Sequence, residues 1–266
     1  TTCSNRNADQ TEPSINVGRL TITNDADVTV QGNISANSVT LEDGATLDVQ
    51  PKSGWTGEGK QSKNSGGSII ASSVTVSAEE GKAVSLTTAG GINGNLTTSG
   101  NATVEINGTA ASGTGSAPSD EVGGVSGTVT VGAGSSVAVT KEIKDTVTVE
   151  GGATINGAEL PEDMGTTTIP AGMVNEVKKD DETGAVSLPA GTSVKNEDGA
   201  YTVLLDKGSV DSEGNLDSET PTATVETLDG KPAVGNADGT FTVPAGSTVN
   251  GAEIPATAGT VTLPTD

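Results

Sequence analysis

Histidine is absent from this chain of 266 residues, and cysteine, tryptophan, tyrosine and phenylalanine occur once each. Without histidine there is no Ser-His-Asp or Cys-His nucleophile system and no imidazole metal site. A single cysteine, Cys3, forms no intrachain disulfide and no thiolate zinc cluster; it is left as a free thiol or a crosslink to another copy. Three aromatics supply no stacking platform for nucleic acid. The balance of 13 Lys+Arg against 35 Asp+Glu, net −22, repels phosphates. No apolar run approaches the roughly 20 residues of a membrane span. A core built on large aromatic side chains is likewise excluded.

What is present is repetitive. Low hydrophobicity with high acidity is compatible with disorder, yet short alternating runs of Val, Leu, Ile and Thr recur, each closed by Gly and small residues. That pattern reads as strand and turn, repeated. The run Ser38-Val39-Thr40-Leu41 returns as Ser73-Val74-Thr75-Val76, Thr128-Val129-Thr130-Val131, Thr146-Val147-Thr148-Val149, Ala185-Val186-Ser187-Leu188, Thr240-Phe241-Thr242-Val243 and Thr260-Val261-Thr262-Leu263. Thr166-Thr167-Thr168-Ile169 belongs with them. Leu20-Thr21-Ile22-Thr23, Leu96-Thr97-Thr98-Ser99 and Tyr201-Thr202-Val203-Leu204 are weaker members. Most steps lie near 19 residues or twice that. A corner follows each run, with glycine at a fixed third place: Gly44, Gly134, Gly152, Gly191 and Gly246. Glycine there permits a positive φ or a sharp bend. Asn156-Gly157 and Asn250-Gly251 supply a second turn.

A period of about 18–20 residues with short strands and tight corners predicts an all-β fold, a parallel β-solenoid with loop insertions. About twelve or thirteen coils stacked roughly 4.8 Å apart give a rod on the order of 60 Å long. One coil cannot bury its inward residues alone, whereas a stack buries a continuous aliphatic column, which suits Val and Thr and needs no aromatics. Strand alternation points Val39/Leu41, Val74/Val76, Val129/Val131, Val147/Val149 and Val186/Leu188 inward. The same alternation predicts an outward Thr-x-Thr ladder on one sheet: Thr128, Thr130, Thr146, Thr148, Thr166, Thr168, Thr240, Thr242, Thr260 and Thr262, interrupted at Leu96, Ala185 and Tyr201.

Some segments leave the pattern. Residues 1–18 read as an N-terminal tail or cap, with the solenoid spanning 19–266. Residues 51–68 and 108–127 read as insertions, the latter a flexible Gly/Ser-rich excursion. An acidic, hairpin-containing part is expected over about 175–240. The run ending at Leu263 reads as an unfinished coil, either a fragment of a longer chain or an end that another copy covers.

The T-V-T-V-x-x-G-A-T-V unit resembles the Val/Thr/Gly-rich β-solenoid repeats of bacterial surface proteins, adhesin-like or fibre-like, with a general likeness to autotransporter passenger domains. The resemblance covers roughly residues 19–266. It implies an exported, non-enzymatic stalk, adhesin or assembly module, extracellular or at the bacterial cell surface. Its partners would be a surface glycan or protein, or copies of itself.

Candidate sites are few. Asp211, Glu213, Asn215, Asp217 and Glu219 place oxygens at alternate positions, as calcium loops do, but Gly214 departs from the EF-hand spacing and a solvated acidic loop is the simpler reading. Apart from that calcium candidate no cofactor is indicated. Trp55 with Lys52, Lys60 and Lys63 forms the locally basic place, suited to contacting a partner or to shielding a coil. Paired acids without sugar-stacking aromatics do not make a glycosidase, so no enzyme is expected. The sequons at Asn33, Asn95, Asn101 and Asn107 fit chance in a Thr/Ser/Asn-rich chain. A Thr-x-Thr ladder also resembles the ice-binding face of solenoid antifreeze proteins, although Thr is simply a good polar residue for an exposed strand. Three roles therefore stand: stalk or adhesin segment, filament subunit joined end to end by β-strand stacking, and ice binder.

Overall fold

In a computed structural model the described residues are 2–4, 15–51, 66–113, 119–227, 230–236, 240–255 and 261–264. The protein is all-β, and the chain divides into two units, Thr1–Asp145 and Thr146–Asp266.

In the first unit successive strands alternate between two sheets. One sheet holds β1 (Thr2–Ser4), β4 (Asp27–Gln31), β7 (Thr46–Gln50), β9 (Val84–Thr88), β11 (Ala102–Ile106) and β13 (Ser136–Val139), in that order. The other begins with two pairs of short strands, β2 (Ile15–Asn16) with β3 (Arg19–Ile22), then β5 (Ile34–Ser35) with β6 (Ser38–Leu41). It continues through β8 (Ile69–Ser77), β10 (Ile92–Ser99) and β12 (Val129–Val131). Pairing between these neighbours is parallel.

Register turns sequence alternation into columns. Leu20, Val39, Val74, Leu96 and Val129 follow one another across the second sheet, as do Ile22, Leu41, Val76, Thr98 and Val131. In the first sheet the columns are Val28, Leu47, Leu86, Val104, Val137 and Val30, Val49, Thr88, Ile106, Val139. A further column runs through Ile15, Ile34, Ile69, Ile92, Val125 and Ile143. Most of these side chains are fully buried, and each buried Val, Leu or Ile contributes about 1.5–3 kcal/mol. Where the column gives way to the Val/Thr run the register of β8 and β10 shifts: Asn93 and Asn95 face Ile70 and Ser73, so the extra residue lies in β8, opposite Gly94, whose φ is 145° and whose added Cβ would meet the Ala71 carbonyl oxygen at 1.6 Å.

This unit corrects several expectations. Within the residues read as a tail or cap, Thr2–Ser4 and Ile15–Asn16 form β1 and β2, which pair with β4 and β5. Val125 and the buried Ala110 and Ala111 lie in a segment read as a flexible excursion, because each fills a place in or beside a column. Leu96 and Leu20 face inward, so the weaker runs are shifted by one residue and Thr97 and Thr21 occupy the outward place.

Among the described residues of the second unit the strand pairing is antiparallel, in contrast to the parallel coils expected through residue 266. One sheet runs β14 (Val147–Val149), β17 (Thr167–Ile169), β20 (Ser193–Lys195), β21 (Tyr201–Leu204), β23 (Thr222–Glu226), β26 (Thr248–Val249) and β27 (Ala252–Glu253). β15 (Thr154–Ile155) and β16 (Ala158–Glu159) form a hairpin. Two three-stranded sheets are β18 (Lys178–Lys179), β19 (Val186–Leu188), β22 (Gly208–Val210) and β24 (Val234–Gly235), β25 (Thr240–Val243), β28 (Val261–Pro264). The run at 261–264 thus pairs antiparallel with β25 and is not an unfinished coil.

Two chemical differences explain the change. The corner residue after β6 and after β12 donates its N–H to the preceding layer, Glu42 to the Ile22 carbonyl at 3.0 Å and Gly132 to the Thr98 carbonyl at 3.0 Å. In the second unit Pro170, Pro189 and Pro244 occupy that corner and have no N–H to give. The Asn-Gly pairs then reverse the chain. Asn156 and Gly157 have φ of 49° and 82°, Asn250 and Gly251 of 49° and 77°, the doubly left-handed geometry of a two-residue hairpin. A core of Val203, Ala223, Val225, Ala233, Phe241 and Val243 fills one face, and the Tyr201 hydroxyl donates to the Gly230 carbonyl at 2.7 Å.

Candidate functional site

The feature of the first unit that presents repeated chemistry outward is a hydroxyl column. Thr21, Thr40, Thr75, Thr97 and Thr130 stand in register on successive strands of the second sheet. β pairing places such neighbours about 4.8 Å apart. The column beside it is mixed: Arg19, Ser38, Ser73 and Asn95. Asn95 is tied down, its Oδ1 accepting the Thr128 N–H at 3.0 Å. The ladder is therefore one threonine wide.

Next to it a groove of about 310 Å³ is lined by Ser35, Ala36, Ile70, Ala71, Ser72, Asn93 and Gly94. The extra residue of β8, opposite Gly94, lies within it. Asn93 donates from Nδ2 to the carbonyls of Ala111 and Ser112, both at 3.1 Å, and accepts from the Ser126 hydroxyl at 2.8 Å. Ser126 in turn accepts the Gly94 N–H at 2.9 Å. This network escaped the sequence reading; the Asn93-Gly94 pair inside a strand was its one signal. The lining offers hydroxyls, an amide and aliphatic surface.

The second unit carries two further openings. One, of about 480 Å³, is lined by Asp163, Met164, Gly165, Thr166, Val194, Lys195, Asn196, Glu197 and Gly214. The other, of about 240 Å³, lies beside the Lys179–Glu159 ion pair at 3.5 Å.

The expected single Thr-x-Thr ladder breaks up. Thr128 is exposed and Thr130 half-buried in the first unit, but Thr148 pairs with Thr168 in an antiparallel sheet, and Thr242 pairs with Thr262 in a different one. Thr146, Thr148, Thr166, Thr240 and Thr242 are half-buried and Thr262 exposed. Thr168, expected outward, is 4% exposed. It shares a register position with Ser193, whose neighbour Val203 belongs to the core. Thr260 lies outside the described residues, as do Trp55, Lys52, Lys60 and Lys63. Of the sequons, Asn33 is buried and its Oδ1 accepts the Ser68 N–H at 2.9 Å.

Asp211, Glu213, Asn215, Asp217 and Glu219 are exposed and build turns. Asp211 accepts the Asn215 side-chain amide at 3.0 Å, the Asn215 N–H at 2.9 Å and the Glu213 N–H at 2.9 Å. These bonds, the Asn215 amide first, hold its carboxyl below the ordinary carboxylate range. Asn215 turns its NH2 group, not its oxygen, toward Asp211. Asp217 accepts the Glu219 N–H at 3.1 Å. Among the described residues no group of three or more acidic or cysteine side chains is placed to hold a metal, and no helix is long and apolar enough to cross a membrane. Family models, curated proteins and solved structures contain no match to this chain.

Proposed function

We propose that this chain is a non-enzymatic structural segment of a bacterial extracellular or cell-surface protein, a stalk or adhesin module whose first unit is a short parallel β-solenoid. The observation that carries the reading is the register of the buried columns. Residues from successive passes, aliphatic but for Thr88 and Thr98 in the buried columns, stack in register in parallel strands, and such a stack couples each layer to the next by backbone hydrogen bonds. Its product is stiffness and an ordered polar surface. The net charge of −22 limits lateral clumping. Antibody labelling of intact source cells tests the location. The expected result is surface signal that external protease removes; signal only after lysis overturns the proposal.

Two other readings keep a specific support each. The in-register threonines favour ice binding, while Arg19 and Asn95 in the adjoining column oppose it; absence of thermal hysteresis at millimolar protein removes that reading. Among the described residues β2 and β3 each pair on one side, with Val17 beside them 41% exposed, which favours end-on β-strand addition by another copy. Discrete particles in electron micrographs at high concentration remove that one.

A further inference from the structure

Four Asn-Gly pairs occur in the chain: Asn93-Gly94, Asn107-Gly108, Asn156-Gly157 and Asn250-Gly251. Glycine after asparagine is the least hindered setting for attack of a backbone nitrogen on the preceding side-chain amide, because no Cβ shields it. The fold treats the four pairs differently. The Gly94 N–H is bound to the Ser126 hydroxyl at 2.9 Å, and the Asn93 amide is held at both ends. The Gly108 N–H is bound to the Gly90 carbonyl at 3.2 Å. Backbone also crowds these two glycines, as an added Cβ would lie 1.6 Å from the Ala71 oxygen at Gly94 and 2.5 Å from the Ala89 oxygen at Gly108. Gly157 and Gly251 are the reverse. Both are exposed, nothing lies within 4 Å of an added Cβ, and no hydrogen bond from either N–H is present among the described residues. That follows from the turn type, in which the N–H of the second loop residue bonds to nothing across the hairpin.

We propose that Asn156 and Asn250 are sites of spontaneous covalent modification in the folded protein. Solvent base removes the proton from the glycine nitrogen, which attacks Cγ of the asparagine. The new N–Cγ bond forms, the Cγ–Nδ2 bond breaks, and ammonia leaves with a solvent proton. Water then opens the five-membered succinimide at either carbonyl, giving aspartate or isoaspartate. Each conversion adds one negative charge at a hairpin tip, and isoaspartate adds one methylene to the backbone of a two-residue turn. The reaction needs the tip to loosen. The bonds that anchor the tips include Asn156 Nδ2 to Asn175 Oδ1 at 3.0 Å, Thr224 N–H to Asn250 Oδ1 at 2.8 Å and Asn250 N–H to the Thr224 carbonyl at 2.8 Å; Asn156 is half-buried, and Asn175, Thr224 and Asn250 are exposed. The stack at Asn93 is instead buried in part behind Ser68 and Ala111.

The test is peptide mapping by mass spectrometry of the full chain after incubation in mildly alkaline buffer, folded and in urea. In the folded chain Asn156 and Asn250 lose their amides several-fold faster than Asn93 and Asn107, giving mixed aspartate and isoaspartate, and in urea the four rates converge. Equal or faster loss at Asn93 or Asn107 in the folded chain overturns the proposal. So does an unchanged Asn156 and Asn250 over the time in which the urea sample converts.

Discussion

Thr98 and Thr88 occupy equivalent interior places in the two sheets of the first unit, and their hydroxyls fare differently. Thr98 lies between Val76 and Val131, is 1% exposed, and its Oγ1 has no partner among the described residues. Thr88 lies between Val49 and Ile106 and donates to the Gly90 carbonyl at 3.0 Å. A buried hydroxyl without a partner carries its full desolvation cost. Thr98→Val, which keeps the shape and removes the hydroxyl, is expected to stabilise by about 1 kcal/mol in urea unfolding. Thr88→Val loses a satisfied bond and gains nothing comparable. A Thr98→Val midpoint at or below that of the parent chain refutes the assignment of Thr98 to the inner column.

At the scale of elements the corners decide direction. Gly44, Gly134, Gly152, Gly191 and Gly246 all have φ between 75° and 81°, so the chain bends alike in both units; what differs is the N–H beside them. Eight of the eleven prolines follow residue 160, and antiparallel hairpins absorb them. The acidic loops are the caps of those hairpins. Asp180 closes the loop between β18 and β19 by accepting the Thr183 N–H at 2.8 Å and the Glu182 N–H at 2.9 Å. The Thr183 N–H, then its hydroxyl, then the Glu182 N–H hold the Asp180 carboxyl below the ordinary carboxylate range. Asp211 is held down likewise. A carboxyl with a depressed folded pKa adds stability that is fully present above its unfolded pKa and is lost as pH falls through the folded value. Amide exchange of both loops is therefore expected to rise selectively as pH drops below the ordinary carboxylate range, after correction for intrinsic rates. NMR titration should place both carboxyls below the ordinary carboxylate range. Normal titration of Asp180 and Asp211 would show that these loops are not capped in this way.

For the whole molecule the governing quantity is charge. Thirty-five acids face thirteen basic residues, and the described ion pairs are exposed: Lys82–Asp25, Lys144–Glu142 and Lys179–Glu159. Such pairs contribute little each, so long-range repulsion dominates the salt response. Raising ionic strength from a few millimolar to physiological should raise the melting temperature, on the order of 2–4 °C for a gain near 1 kcal/mol. A fall in melting temperature would mean that local pairs outweigh the repulsion.

How far the sequence reaches follows from the range of each interaction. Alternation within one strand is local, so the inward places of Val39, Val74, Val129 and Val147 and the left-handed glycines at the corners could be read from composition and spacing alone. The Asn-Gly pairs and the prolines after the runs ending at Ile169, Leu188 and Val243 also carried the hairpins, although period alone concealed them. Partner choice is not local. Whether a strand lies beside the one a coil earlier or beside its own hairpin mate depends on N–H groups and turns acting across tens of residues, and only the tertiary structure decided it. The extra residue that β8 carries opposite Gly94 required β10 as a partner, the burial of Thr168 required a core on its face, and the anchoring of Asn93 required Ser126 to be brought beside it. Local geometry follows from residue type, whereas register and burial follow from which distant backbone supplies the next hydrogen bond.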